Sequence, residues 1–502
     1  MAGIDSWIDE RFAMIADIAA SVVFFSVPLP GVTNSAGDVM QLPLLIIWLA
    51  AAGIFFTFYL GFINVRYFGH ALNVVRGKYD KDDKDSKKEG DIGRFQALMT
   101  SLSGTVGLGN IAGVAAAVSI GGPGAVLWMM LMGLFGMATK FVEVTLGVKY
   151  RHHPNPERKD VISGGPMYYL RDIFDNRNIP YIGHILAIMF AICCIGGAIG
   201  GGNMFQANQS YQQLVNVTGG DAGWMADKGW LYGLMLAFLV GLVIIGGIKS
   251  IARVASRLVP VMGMIYLIAG LFVILMHFTH IPGALWTIIS MAISPEAGIG
   301  GFIGGLIVGV QRAVFSNEAG LGSAPIVHSN TKTDQPVSQG FVGMLGPFID
   351  TVVICMVTAL VIVITGAYQE GAAEFAAAGS IEGVSLTSRA FESVIPGASY
   401  VLALTVFLFA YSTMITWSFY GSKATTYLFG ENVRIDLAFK IFFCSFVVVG
   451  ASASLDNVLL FSDAMILSMA IPNIIGLYIA APEVKRELKK YIEHIGRKEK
   501  QA

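Results

Sequence analysis

Charge is scarce in this chain of 502 residues: Asp, Glu, Lys and Arg make up 13% of it, roughly half the share of an average soluble domain. That excludes a globule with a water-covered surface, because 55% of the residues are hydrophobic. Cysteine is scarce as well. Cys193, Cys194, Cys355 and Cys444 lie in apolar runs without CxxC or Cys/His spacing, which excludes a disulfide framework and a zinc site and leaves four buried small apolar side chains. The opening MAGIDSWIDE places Asp5, Asp9 and Glu10 where a secretory signal carries Lys or Arg, so no cleavable signal is expected. Missing too are an HExxH, paired catalytic aspartates and a Ser/His arrangement at membrane depth, and His152 and His153 sit in a basic, solvated loop. An intramembrane enzyme is therefore disfavoured. A channel is disfavoured as well, for want of a repeated pore loop or a ring of charges. No cofactor and no nucleic-acid partner are expected.

What the chain has is long uncharged apolar runs of the length that crosses a bilayer. Eleven candidate spans fall near residues 41–63, 95–118, 124–148, 182–206, 229–248, 257–277, 298–325, 340–366, 398–420, 436–452 and 460–481. The expected fold class is an all-α integral membrane protein of eleven transmembrane helices in the cell (inner) membrane. Residues 5–25 read as an amphipathic helix at the interface. Lysine and arginine set the orientation. Arg66, Arg76, Lys78, Lys81, Lys84, Lys87, Lys88 and Arg94 follow the first span, and alternate loops hold Lys149, Arg151, Arg158, Lys159 and Arg171, then Lys249, Arg253 and Arg257, then Lys423 and Arg434. The stretch 367–396 has Glu370, Glu374, Glu382 and Glu392 against one arginine. This puts the N-terminus outside and the C-terminus in the cytoplasm. The run YDKDDKDSKKEG reads as a solvated linker and the tail KRELKKYIEHIGRKEK as a cytoplasmic helix.

Two of the spans are interrupted by polar and glycine residues: SGTVGLGNI at 103–111 and FSNEAGLGSA at 315–324. Glycine is a poor helix former, and an unwound stretch in lipid leaves backbone groups without partners at several kcal/mol each. Five crossings separate the two breaks, so the interrupted helices run in opposite directions, the pattern of inverted-repeat transporters. Helix ends at mid-membrane present N–H groups to a carboxylate and C=O groups to a cation, which suits a zwitterion with a small ion. The segment GLGNIA also fits the loose dinucleotide fingerprint GxGxxA, but apolar helix flanks it where that motif needs a preceding strand and a βαβ unit.

The stretches SGTVGLGNIAGVAAAVSIGGPGAVLWMM and VFSNEAGLGSAPIVHS resemble the signature segments of the alanine or glycine:cation symporter family, of the amino acid-polyamine-organocation superfamily. The resemblance implies the five-plus-five inverted repeat of the leucine transporter (LeuT) fold. Residues 1–40 would form a periplasmic or interfacial segment, 41–94 an added first span with its basic loop, 95–278 and 298–481 the two repeats, and 482–502 a basic tail. It further implies sodium-coupled import of alanine or glycine by alternating access. The alternative keeps the fold and replaces sodium by a proton.

On this reading Ser103, Gly104, Thr105, Val106, Gly107 and Gly109 form the unwound segment. Gly107 and Gly109 would contact the ligand, while Gly113 reads as helix packing. By the resemblance, the carbonyls of Ser103, Val106 and Phe409 with the hydroxyls of Ser412 and Thr413 would hold sodium. The competing reading of those hydroxyls is a bond to their own backbone. Asn110 would orient a second cation or cap the broken helix. In the second break lie Phe315, which would wall the pocket, Ser316 and Asn317, which would contact the substrate, and Glu318. Glu318 is either a substrate or coupling acid, or structural, paired with Arg312 or held as a protonated, hydrogen-bonded carboxyl. Thr416 offers a further hydroxyl to the substrate, and Trp417, one turn from Thr413, would limit its side chain. Gln206 would offer an amide to the substrate or cap the end of the fourth span. Lys140 and Glu143, three apart, read as a local ion pair. Asp350 and Asp463 carry no assigned role beyond pairing with basic residues on other helices.

Overall fold

The computed structural model describes residues 4–33, 39–79, 90–153, 162–294, 301–378, 381 and 383–499. Most of the charged linker, part of the basic loop and the end of the tail lie outside them, with Lys81, Lys84, Lys87, Lys88, Arg158, Lys159 and Glu382.

Helix dominates, as apolar composition demands where only internal hydrogen bonds can satisfy the backbone. The N-terminal helix α1 (Ile4–Val23) buries Phe12 and Ala16. An antiparallel pair follows, β1 (Ser26–Thr33) and β2 (Val39–Pro43), a departure from the all-helical expectation. Membrane helices then run as α2 (Leu44–Tyr59), the halves α3 (Arg94–Thr105) and α4 (Ala112–Gly121), α5 (Gly124–Lys149), α6 (Pro180–Val217), α7 (Gly229–Ile244) and α8 (Gly247–Met276). After them come the halves α9 (Gly301–Asn317) and α10 (Ala324–His328), then α11 (Pro336–Ile364), α12 (Ala398–Phe429), α13 (Val433–Ser452), α14 (Leu455–Ser468) and α15 (Ala470–Glu499).

Among the described residues seven helical stretches are long and apolar enough to span a bilayer, eight when the two halves of the first break are taken as one span bent by 58°. Leu44–Tyr59, Gly229–Ile244, Phe278–Ile293 and Phe302–Asn317 are apolar but shorter, so the expected count of eleven is not reached by length alone. The acidic stretch 367–396 is not a plain loop, since it holds helices Ala367–Ala378 and Val384–Glu392. Nor does the fourth span end at GGGNMFQANQS: a π-turn at Gly200–Met204 passes into regular helix that continues to Val217. His153 is exposed, and the partly exposed His152 is also paired, with Nε2 2.5 Å from Asp172 Oδ2. Cys194 and Cys355 are buried, whereas Cys193 and Cys444 are only half-buried.

α1 is held from both ends of its acidic face. Asp5 accepts the backbone N–H groups of Gly229 and Trp230 at the start of α7, and Asp9 accepts Ser454 N and Asn457 Nδ2 at the start of α14. Carboxylates at helix N-termini satisfy donors that the helix itself cannot.

Candidate functional site

The first break begins where Val106 turns out of helix (φ −74°, ψ 83°) and Gly107 extends (φ −133°, ψ −153°). Its freed groups are bound by side chains. Gly107 N donates to Asn110 Oδ1 at 2.9 Å and Leu108 N donates to Gln206 Oε1 at 3.0 Å. Glycine at 107 is required by close approach, because a Cβ there would lie 2.4 Å from Thr413 Oγ1. Gly104 sits against Thr416 and Tyr420 and Gly109 against Ser316 and Phe315, while a Cβ on Gly113 would meet nothing within 4 Å. The packing role expected for Gly113 is thus corrected.

The second break starts at Glu318, a non-glycine residue in the left-handed region (φ 57°), followed by Gly320 (φ 92°) and Gly322 (φ 81°). Such a backbone persists only where its surroundings hold it. Lys140 on α5 donates to the carbonyls of Asn317 and Glu318, both at 3.1 Å. One turn on, Glu143 accepts Gly322 N at 2.9 Å and Asn473 Nδ2 at 2.7 Å. The ammonium therefore sits at the C-terminal, electronegative end of α9, and the carboxylate at the electropositive start of α10. The expected direct Lys140–Glu143 contact is corrected: three-residue spacing puts both groups on one face, near enough for the charges to balance, but each gives its hydrogen bonds to the break.

Asp350 joins the two breaks. Its Oδ1 accepts Asn110 Nδ2 at 2.6 Å and its Oδ2 accepts Ser316 Oγ and Thr351 Oγ1, each at 2.8 Å. Its partners are polar rather than basic, against the expectation for it. Asp463 does pair with a basic residue, Arg312. That pairing leaves Glu318 to other partners, Trp417 Nε1 at 3.0 Å and Ser323 Oγ. Asn317 bridges Thr351 Oγ1 and Ala319 N.

α12 closes the centre. Ser103 Oγ donates to Ser412 O at 2.7 Å, and Ser412 Oγ donates to Phe409 O at 3.0 Å. The Ser412 hydroxyl thus makes the back-bond to its own helix, and Thr105 does the same toward Ser101 and Leu102. Thr413 Oγ1 and Thr416 Oγ1 are fully buried with no partner among the described residues. A buried hydroxyl without a partner costs about 1–3 kcal/mol, and in the centre of a helix bundle it marks where a ligand oxygen, nitrogen or ion fits. The Trp417 indole lies against Gly202, where a Cβ would come within 2.3 Å of its Cγ, and its Nε1 also reaches Gly104 O at 3.3 Å. Phe315 stands edge-on to Phe205 at 5.2 Å.

Thus Ser103, Gly104, Val106, Gly107, Gln206, Ser412, Thr413, Thr416 and Trp417 gather around the first break, and Gly109 touches Phe315 and Ser316 of the second. Gln206 is buried in the body of α6 and holds the broken helix directly. Asn110 caps the break and binds Asp350. The sequence reading missed Asp350, Lys140, Glu143 and Asn473 as partners of the breaks; their one signal is ionisable or amide character at membrane depth. Beside the centre, a cavity of about 290 Å³ reaches from Ser418 to Lys423, Asp91 and Lys249, with Lys249 and Asp91 paired at 3.0 Å.

A family model described as the sodium:alanine symporter family matches residues 29–502. The sodium/alanine symporter AgcS of Methanococcus maripaludis is 39% identical over 462 residues, covering 92% of this chain and 96% of that one. The "Probable sodium/glutamine symporter GlnT" and the "Amino-acid carrier protein AlsT" of Bacillus subtilis are each 32% identical. The matches cover 92% of this chain and 91% of the relative for the first, and 88% of each for the second. Among solved structures, MhsT in complex with L-phenylalanine matches with a TM-score of 0.48 and 14% identity, over 78% of this chain and 98% of that one. The chain belongs to the sodium:alanine symporter family, as a multi-pass membrane transporter and not an enzyme.

Proposed function

We propose that the chain is a sodium-coupled symporter of alanine or glycine that works by alternating access. The observation that carries this reading is the pair of buried hydroxyls of Thr413 and Thr416, without partners among the described residues, that of Thr413 lying against Gly107 of the first break. The helix runs through Ser103, Gly104 and Thr105 and opens only at Val106 and Gly107, so the substrate carboxylate would take backbone N–H groups of the shorter break at 106–109. The oxygens of Ser103, Val106, Phe409, Ser412 and Thr413 would supply the hard ligands that a small alkali ion accepts. Trp417, packed against Gly202, and Phe315 would limit the substrate side chain to a small one. AgcS, described as a sodium/alanine symporter, supports the same substrate.

Eleven crossings follow if Leu44–Tyr59, Gly229–Ile244 and Phe302–Asn317 each complete one beside the eight longer stretches. Residues 95–278 and 298–481 are then the inverted repeats, with the N-terminus outside and the C-terminus in the cytoplasm. The cavity ending at Lys423 and Asp91 supports a release route on the basic, cytoplasmic side. In a second reading the driving ion is a proton, favoured by Glu318 being bound to Trp417 and Ser323 and not to Arg312. Uptake of labelled alanine into proteoliposomes separates the two. Accumulation driven by an inward sodium gradient supports sodium coupling, and accumulation driven by a pH gradient alone in potassium medium supports the proton.

A further inference from the structure

Away from the centre, α2 and α15 are locked together by aromatic rings. Tyr478 stacks on Phe56 at 5.4 Å and meets Phe55 and Trp48 edge-on at 5.0 and 6.1 Å. Beyond this junction, where α2 ends, the helices part around a groove of about 580 Å³. Its floor is apolar, with Tyr59, Leu60, Leu488 and Ile492. Its rim is basic: Arg66, Lys485, Arg486 and Lys489 stand against one acid, Glu493.

Among the described residues the charge on the rim is not spent in ion pairs, and Arg66 meets only the Gly61 carbonyl at 3.5 Å and the Tyr67 ring. α15 turns Glu483 and Glu487 the other way, onto Lys149 at 2.8 and 3.0 Å. Arg486 and Lys489 have no ion pair among the described residues, and Lys485 is held only over the Tyr59 ring, 4.3 Å from its centroid. That cation–π contact fixes an ammonium at the mouth of an apolar cleft. Directly beside Arg66 the surface of α2 and the turn after it is exposed and greasy, with Phe58, Phe62 and Val65 turned outward. An apolar surface therefore adjoins a groove whose cations have no ion pair among the described residues. Basic pockets between membrane helices bind anionic lipid head groups, and each basic residue near the surface adds to the attraction.

We infer that this groove is a binding site for one anionic phospholipid of the bilayer. Its acyl chains run down Phe58, Phe62 and Val65, and its phosphate is clasped by Arg66, Lys485, Arg486 and Lys489. In the proposed orientation the lipid belongs to the cytoplasmic leaflet, but the site does not depend on what the transporter carries.

The test uses full-length protein reconstituted in vesicles of equimolar phosphatidylglycerol and phosphatidylcholine, extracted, and analysed by native mass spectrometry. Wild type is expected to retain phosphatidylglycerol in preference to phosphatidylcholine. The triple variant Lys485→Gln, Arg486→Gln, Lys489→Gln is expected to lose that retention by at least about tenfold. Lys490→Gln, which removes a charge that faces Glu487 outside the groove, is expected to keep it. Equal retention of both lipids by wild type overturns the proposal without recourse to any variant. So does undiminished retention by the triple variant, or an equal loss in Lys490→Gln.

Discussion

Asn110 Nδ2 lies 2.6 Å from Asp350 Oδ1, and through that contact the first broken helix is tied to a carboxylate that also holds the second through Ser316 Oγ at 2.8 Å. One side chain on α11 thus bonds to both breaks. Reciprocal coupling between two ligands at the breaks needs such a shared element.

Removing that carboxylate takes the acceptor from Thr351 and leaves Asn110 and Ser316 only longer contacts, to the Asp350 carbonyl and Cys355 Sγ. Asp350→Ala is expected to lower stability by about 1–3 kcal/mol, the cost of buried donors left without acceptors. It should also lower alanine uptake more than Ser316→Ala, which frees only one side of the link. Thermal unfolding in detergent and initial uptake rates check both; wild-type values for Asp350→Ala would contradict the link.

Trp417 contributes a donor and a wall, and two substitutions separate them. Trp417→Phe keeps most of the wall and loses the bond to Glu318, for an expected loss of about tenfold in kcat/KM for alanine, near 1.4 kcal/mol. Trp417→Ala is expected to admit larger neutral side chains, seen as inhibition of alanine uptake by leucine. Gly202→Ala, which forces the indole away from α6, is expected to favour glycine over alanine.

Lys140 is the only protein cation that the structure brings to the carbonyls of Asn317 and Glu318 among the described residues. Lys140→Met is expected to cost about 3 kcal/mol, since it leaves the Glu143 carboxylate buried without its balancing charge. Glu143→Gln in the same chain is expected to recover part of the loss. A double-mutant cycle on thermal unfolding checks the sign; strict additivity would contradict the shared role.

Glu392 accepts Gly397 N at 2.7 Å and Ser399 N at 2.9 Å at the start of α12. These backbone bonds hold its carboxyl below the ordinary value of 4.5. A depressed carboxylate stabilises the fold fully above its ordinary value, and that contribution is lost as pH falls through the folded value. Glu392→Gln is therefore expected to melt lower than wild type by a constant margin between about pH 6 and 8, with the margin closing in acid. A margin independent of pH down to the acid limit would contradict the assignment.

The breaks were legible in the sequence because glycine and hydroxyl residues stand out within apolar runs, and Trp417 could be placed beside Thr413 by helical period alone. Contacts across the chain were not legible in this way. Asn110 and Asp350 belong to different helices, so no spacing rule connects them. Lys140 and Glu143 looked like partners because three-residue spacing is the only relation a sequence displays, and it is silent on what faces that side of α5. Gln206 looked terminal because the apolar run stops there, yet the polar residues after it are buried in helix against α12 and α13. The strands β1 and β2 and the helices at 367–378 and 384–392 carry too few apolar residues in register to show a period.

The most direct measurement is the affinity of the purified protein for alanine by calorimetry across a series of sodium concentrations, with the affinity for sodium measured across a series of alanine. If both ligands grip the same unwound segment, each raises the affinity for the other by the same factor, and Thr413→Val reduces that factor toward one. An alanine affinity that is equal in sodium and in potassium would contradict the account.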